Sequence, residues 1–345
     1  MREEVKVWCS DLLDRAGLVG LVRHVTAFRG GLVLALHRVL PVEERASCYE
    51  PHLVLSEPAF VSLLRLLQRD YQVVPLEDLL ANPKGIDGHP KVAITFDDGW
   101  EDNYRIAFPH LLAYQMPATI FVCTQLLGTH GVLPEERFAR LWAECSAQDR
   151  LKQLITDLNH WGMGRRKNLH SQFQRRYWSQ ELKRMPLSAR LLLLDHFEER
   201  YQAPTVSARS FMNWGEARVM LNTGLIQMGS HTSRHATLTS ETDRDVRREL
   251  EESRATLLER TGAASEIFAY PNGMYNRRVV DLVASAGYKA AVSTHPGTTT
   301  PRSHPMAIPR IAVDDTTVTH ADLQLSPSRT SVYFLSSRLR SATSS

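Results

Sequence analysis

The chain has 345 residues, enough to bury a large core, and its 43% hydrophobic and 23% charged residues exclude the compositions of disordered, collagenous and membrane-spanning chains. Lys and Arg total 41 against 38 Asp and Glu, and the resulting net charge of +3 carries no excess that would point to nucleic acid as a partner. The four cysteines, Cys9, Cys48, Cys123 and Cys145, lie far apart with no C-x-x-C pair, so neither a zinc knuckle nor a dense disulfide framework is expected, and a reducing compartment is the simplest reading.

The first 30 residues read as a helical segment in which acids and bases interrupt the apolar positions, without the unbroken apolar stretch of a signal peptide. The longest apolar run, GGLVLAL, stops at His37 and Arg38, far short of the roughly 20 residues that span a bilayer. A soluble, cytoplasmic protein is expected, whose first helix can rest on the inner face of a membrane. From residue 31, short β-rich apolar runs alternate with amphipathic segments, which predicts an α/β fold with a mainly parallel sheet. The expected strands are 31–36, 91–96, 118–123, 225–229, 266–270 and 290–293. Ser56 is the expected N-cap of a helix with Phe60, Leu63, Leu64 and Leu67 on its apolar side. The stretch 126–208, rich in Leu, Arg, Gln and Trp, breaks the rhythm and reads as a helical insertion. Its basic runs, GMGRRKN and SQFQRRYWSQ, suit either a cap over the sheet or a surface for an anionic or lipid-linked substrate. A helix over about 241–260 buries Leu250, Leu257 and Leu258, and its charged face, DRDVRRELEESR, reads as solvated i,i+4 pairs. One domain over 31–325 is expected, followed by a Ser-rich, basic, flexible tail over 326–345.

Two patterns carry chemistry. In KVAITFDDGW an apolar run ends in adjacent carboxylates, Asp97 and Asp98, and the carboxyl ends of parallel strands are where such sheets bind ligands. Neighbouring aspartates at a strand end point different ways, so one can hold a metal while the other faces a substrate. Either could equally cap the helix that follows. In QMGSHTSRHATL, His231 and His235 stand four apart after another expected strand. On one helical turn that spacing puts both imidazoles on one face, close enough to share an ion. With an Asp oxygen they leave coordination positions open, the layout of a catalytic site. Two surface histidines are the plain alternative.

Together these blocks resemble the polysaccharide deacetylases, carbohydrate esterase family 4. T-F-D-D-G stands unchanged at Thr95 to Gly99, and H-[ST]-x-x-H at His231 to His235; F-A-Y-P-N-G at Phe268 to Gly273 is similar to the third block of the poly-N-acetylglucosamine deacetylase branch. The resemblance covers residues 31 to about 313. It implies a distorted (β/α)7 barrel, a divalent metal, usually zinc, on Asp98, His231 and His235, Asp97 as base, and de-N-acetylation of N-acetylglucosamine units in a polysaccharide or glycan precursor. Ala269 replaces an Arg that orients the base in other members, and Asn272 replaces a Tyr whose backbone N–H faces the oxyanion. Arg310, in IPRI, is the candidate to replace the missing Arg. His37, in LALHRVL, matches an active-site histidine of the same branch and is preferred as proton donor over His295. Asn272, Tyr270, Trp100 and Arg310 are the candidates for contact with a carbohydrate substrate. A deformylase or other amide hydrolase on a lipid- or nucleotide-linked sugar, and a non-catalytic carbohydrate-binding protein, are the competing functions.

Overall fold

The computed structural model describes residues 30–85, 89–161, 171–203, 208–263, 266–320 and 322–340. The expected N-terminal helical segment and the GMGRRKN run lie outside them. Among the described residues there are ten strands: β1 (Leu32–Leu36), β2 (Arg38–Leu40), β3 (Val54–Ser56), β4 (Gln72–Val73), β5 (Lys91–Phe96), β6 (Ala118–Val122), β7 (Ile226–Ser230), β8 (Ile267–Ala269), β9 (Ala290–Val292) and β10 (Ile311–Ala312). Eight of them form a parallel sheet in the order β10-β1-β5-β6-β7-β8-β9, with β4 also pairing β5; β2 and β3 pair separately. The extended stretch 308–312 touches both ends of that run. Ile308 bridges Val292, and Ile311 pairs Leu34, so the sheet curls round as a distorted (β/α) barrel. The six expected strands differ from those observed by a residue or so at their ends.

Strand alternation sorts the core into two faces. Leu32, Leu34, Leu36, Val92, Ile94, Phe96, Ile120 and Val122 face outward and pack on Phe60, Leu63, Leu64 and Leu67 of α1 (Glu57–Asp70). Val33, Ala93, Phe121, Ala269, Val292 and Ile308 cluster on the other face and fill the barrel. Gly229 belongs to that interior, and a Cβ there would run into the Phe121 ring. Ser56 does stand at the N-cap of α1, but its hydroxyl donates to Asp315 Oδ1 at 2.9 Å and makes no cap bond.

Among the described residues the other α-helices of six residues or more are α2 (Leu76–Ala81), α3 (Phe108–Ala113), α4 (Pro134–Ala147), α5 (Leu151–His160), α6 (Ser171–Lys183), α7 (Leu187–Tyr201), α8 (Trp214–Leu221), α9 (Asp243–Thr261), α10 (Arg277–Ser285) and α11 (Pro327–Arg340). Helices α4 to α7 occupy the interval between β6 and α8 and share a core of their own, in which Phe138, Trp142, Trp178, Leu193 and Phe197 meet. In α9, Leu250 and Leu257 are buried as expected but Leu258 is 50% exposed, one position past the apolar stripe. The tail differs more: 327–340 is helical, and Phe334 is buried against Tyr71, giving the segment an apolar anchor that its Ser-rich composition conceals. Cys48, Cys123 and Cys145 are free thiols. Among the described residues no helix is long and apolar enough to cross a membrane.

Candidate active site

The alternation that fills the barrel also aims the site. Ala93 and Thr95 point inward from β5, and Asp97 follows them, buried at the strand's carboxyl end. Its two oxygens accept from Arg310 Nη1 and Nη2, each at 2.7 Å. Arg310, 0% exposed, arrives from the strand-closing stretch two residues after inward-facing Ile308. It also donates to Thr95 Oγ1 and to the Ser293 carbonyl. Burial by itself would raise the Asp97 carboxyl, but the Arg310 guanidinium holds it well below the ordinary range, a charge-assisted bidentate pairing.

Asp98 diverges because its backbone leaves the strand. Asp98 and Gly99 have φ of 74° and 79°, a left-handed pair that Asp tolerates and glycine favours. A Cβ on Gly99 would also press on Val122. Asp98 Oδ2 accepts from Trp100 Nε1 at 2.9 Å. Asp98 Oδ1 lies 3.5 Å from both His231 Nε2 and His235 Nε2. Among the described residues this buried oxygen has no hydrogen-bond partner.

The two histidines are buried, with ring centroids 5.1 Å apart. They do not ride on a helical turn, as their spacing suggested. Thr232 and His235 have φ of 68° and 62°, and the intervening turn is clamped by Glu249 of α9, whose Oε2 accepts from the Ser233 and Arg234 backbone N–H groups at 3.0 Å each. Glu249, read from sequence as part of a solvated face, is in fact buried. His231 Nδ1 donates to the Ala269 carbonyl at 2.8 Å, which leaves Nε2 as the acceptor. Burial, with His235 alongside, pushes His231 down to about 4. His235 Nδ1 sits 3.4 Å from Glu135 Oε2, and that carboxylate outweighs burial to hold His235 above its ordinary value.

Glu135 is the residue that sequence reasoning missed. It stands in the first turn of α4, inside the insertion and outside every motif. Arg190 and Asn272 both donate to its Oε1, at 3.1 and 3.3 Å. Although burial would raise it, His235 and Arg190 hold Glu135 well below the usual carboxylate range.

These groups open onto a cavity of about 580 Å³ lined by His37, Asp97, Asp98, Glu135, His231 and His235, with Asn272 on its wall. His37 Nε2 lies 3.9 Å from Asp97 Oδ2. His295 is exposed, stands edge-on to Tyr275 and does not line the cavity. Three expected substrate contacts fall elsewhere. Tyr270 shares the outward face of Phe268, is fully buried, and donates its hydroxyl to the Met306 carbonyl at 2.9 Å. Trp100 holds Asp98 from below, sandwiched between Phe211 and the Arg38 guanidinium, and borders a neighbouring cavity of about 310 Å³. Arg310 is consumed by Asp97.

The sequence profile of the family described as polysaccharide deacetylase matches residues 84–165 and 173–291. The chain belongs to the polysaccharide deacetylase family. The family's reaction is hydrolysis of the C–N bond of sugar N-acetyl groups. Asp97, Asp98, His231 and His235 fall inside the matched residues, and His37 and Arg310 outside them. Among solved structures, a Streptococcus pyogenes deacetylase, PplD, in complex with acetate is 17% identical, with a TM-score of 0.57 over 88% of this chain and 98% of that one. IcaB from Ammonifex degensii is 19% identical, with a TM-score of 0.55 over 89% and 97%. At such identities the likeness is one of fold. The curated Bacillus subtilis protein YxkH is 46% identical over 50 residues, 14% of this chain, so the matched stretch spans 18% of that relative's length.

Proposed function

We propose that this polysaccharide deacetylase family member is a metal-dependent de-N-acetylase of N-acetylated sugar units, close to the poly-N-acetylglucosamine branch that its third block resembles. The observation that carries the metal is Asp98 Oδ1, buried, unpaired among the described residues, and equidistant from two imidazole nitrogens. The Nε2, Nε2 and carboxylate oxygen donors lie within 4.8 Å of one another. A buried carboxylate oxygen facing two imidazole nitrogens is a donor set that fits a cation. Two imidazoles and one carboxylate suit zinc and leave positions for water and a substrate oxygen. Ala269 and Glu135, on the outer ring nitrogens, orient the imidazoles as partners of metal-bound histidines do.

A divalent ion on Asp98, His231 and His235 would supply Lewis acidity towards the acetamide carbonyl and lower the pKa of water towards about 7. The chain's own groups do the rest. Asp97, kept ionised by Arg310, accepts the proton of the attacking water. His37, beside Asp97 on the cavity wall, donates a proton to the departing amine, which is otherwise a poor leaving group. The backbone N–H of Asn272 is the protein donor we assign to the tetrahedral oxyanion; the residue's left-handed φ of 59° and its side-chain bonds to Glu135 and Thr237 fix that peptide.

Incubation with N-acetylglucosamine oligomers and, separately, with N-formyl sugars, with free acetate and formate followed, tests the reading. Acetate release that chelation abolishes is expected. Formate release from N-formyl sugars alone would transfer the site to deformylation, and binding without release of either acid would leave only a carbohydrate-binding role.

A further inference from the structure

The cavity has a second wall that the chemistry above does not use. Helix α6 turns Arg176, Ser179, Gln180 and Lys183 towards the cavity that holds Asp97 and Asp98. Their spacing, i, i+3, i+4 and i+7, is one helical face, and Trp178 and Leu182 bury the other in the helical core. Over seven residues the face runs about 10 Å.

The charges on this wall are unbalanced. Every carboxylate lining the cavity already has a claimant. Asp97 is held by Arg310, Glu135 by Arg190 and His235, and Glu50 by Arg175 and His52, while Asp98 faces the two site histidines. The Arg176 and Lys183 side chains have no carboxylate within ion-pair distance and no hydrogen-bond partner among the described residues. His52, on the same cavity, is pushed down to about 4, first by burial and then by the Arg175 and Lys183 charges.

We propose that this wall is a subsite for an anionic group, phosphoryl or carboxylate, carried by the substrate beside the N-acetyl unit being cleaved. The inference rests on the deacetylase reading for what happens to the ligand, but not for how it is held. Arg176 offers a planar fork and Lys183 a mobile point charge, and Ser179 and Gln180 between them can donate to the anion's oxygens. A neutral homopolymer of N-acetylglucosamine would leave both cations unused.

Ligand binding to the full-length, zinc-loaded Asp97→Asn protein measures this without turnover. Three ligands are compared: a neutral N-acetylglucosamine oligomer, N-acetylglucosamine 1-phosphate, and an N-acetylglucosaminyl-glucuronate disaccharide. At least one anionic ligand should bind about tenfold or more tighter per sugar unit than the neutral one, and the advantage should shrink as salt rises. The phosphate and glucuronate arms name the group. Adding Arg176→Gln and Lys183→Gln should erase that advantage, leaving neutral binding within about twofold. Equal affinity for all three ligands, or an equal loss for all three in the combined variant, would overturn the subsite. An anionic preference that survives while the protein with Asp97 restored releases no acetate from any ligand would uphold the subsite and refute the deacetylase reading instead.

Discussion

Replacing Arg310 by Met isolates what the guanidinium does for Asp97. In the native chain Arg310 is 0% exposed, makes both 2.7 Å bonds to Asp97, and gives further bonds to Thr95 Oγ1 and the Ser293 carbonyl. Met fills much of the stem's volume but leaves a buried carboxylate with no cation. Breaking one side of a buried ion pair costs about 3–5 kcal/mol, which at roughly 2–4 °C per kcal/mol corresponds to a loss of about 10 °C in Tm. The pH dependence has a fixed sign. With Arg310 present, the folded-state value of Asp97 lies below its unfolded value, so the pair contributes stability above about pH 4 that is lost as pH falls. In Arg310→Met, burial acts unopposed by the guanidinium and the folded-state value rises, so the deficit should be largest at pH 7 and shrink below pH 4. The acid limb of kcat/KM should move to higher pH, because the base must first lose a proton that the native enzyme does not carry. Adding Asp97→Asn to Arg310→Met should restore more than half of the lost stability, since a buried amide carries no unpaired charge. Thermal unfolding across pH 3–8 and a pH–rate profile read both effects. An Arg310→Met protein with an unchanged Tm and an unchanged acid limb would refute the coupling.

Three further predictions follow from the site. Glu135→Gln should lower zinc affinity about 10- to 100-fold with the fold intact, because His235 loses the carboxylate on its Nδ1; a competition titration showing native affinity would reduce Glu135 to packing. His37→Ala should keep its metal and lose about 10²- to 10⁴-fold in turnover, while His295→Ala stays near native rates, and the opposite pattern would exchange their roles. Zinc uptake between pH 5 and 6 should release about one proton. Burial holds His231 down to about 4, so it is already neutral there, whereas Glu135, outweighing burial, holds His235 above its ordinary value and makes it give up a proton to ligate; a pH-stat reading of two protons would put His231 back in the ordinary range.

The fold and the centre of the site were legible in the sequence because both depend on short-period patterns. Alternation from Ala93 and Ile308 carries straight on to Asp97 and Arg310, and the apolar runs delimit the strands almost to the residue. The same alternation, followed through the third block, separates Tyr270 from the interior. Tyr270 shares the parity of outward-facing Phe268, whereas Ala269 faces in, and its carbonyl fixes His231. Trp100 misleads because a large aromatic next to a catalytic block invites a stacking role, while its indole N–H is the nearest donor for Asp98 Oδ2. Glu135 and Glu249 were illegible for a different reason. Each reaches the site across a tertiary contact, Glu135 to His235 exactly 100 positions on and Glu249 back to the 233–234 turn, and no local spacing encodes such a meeting. Likewise, the left-handed turns at Thr232 and His235 arise where that clamp holds the backbone, so an i,i+4 spacing read as helix was satisfied by another geometry.

In the proposed mechanism one aspartate holds a metal while its neighbour moves a proton. Zinc content and acetate release, measured on a single preparation of Asp97→Asn beside the wild type, test it most directly. One equivalent of zinc should bind to both proteins, with acetate released from N-acetylglucosamine oligomers by the wild type alone. Wild-type acetate release by zinc-loaded Asp97→Asn, or undiminished release by wild type stripped of metal, would contradict it.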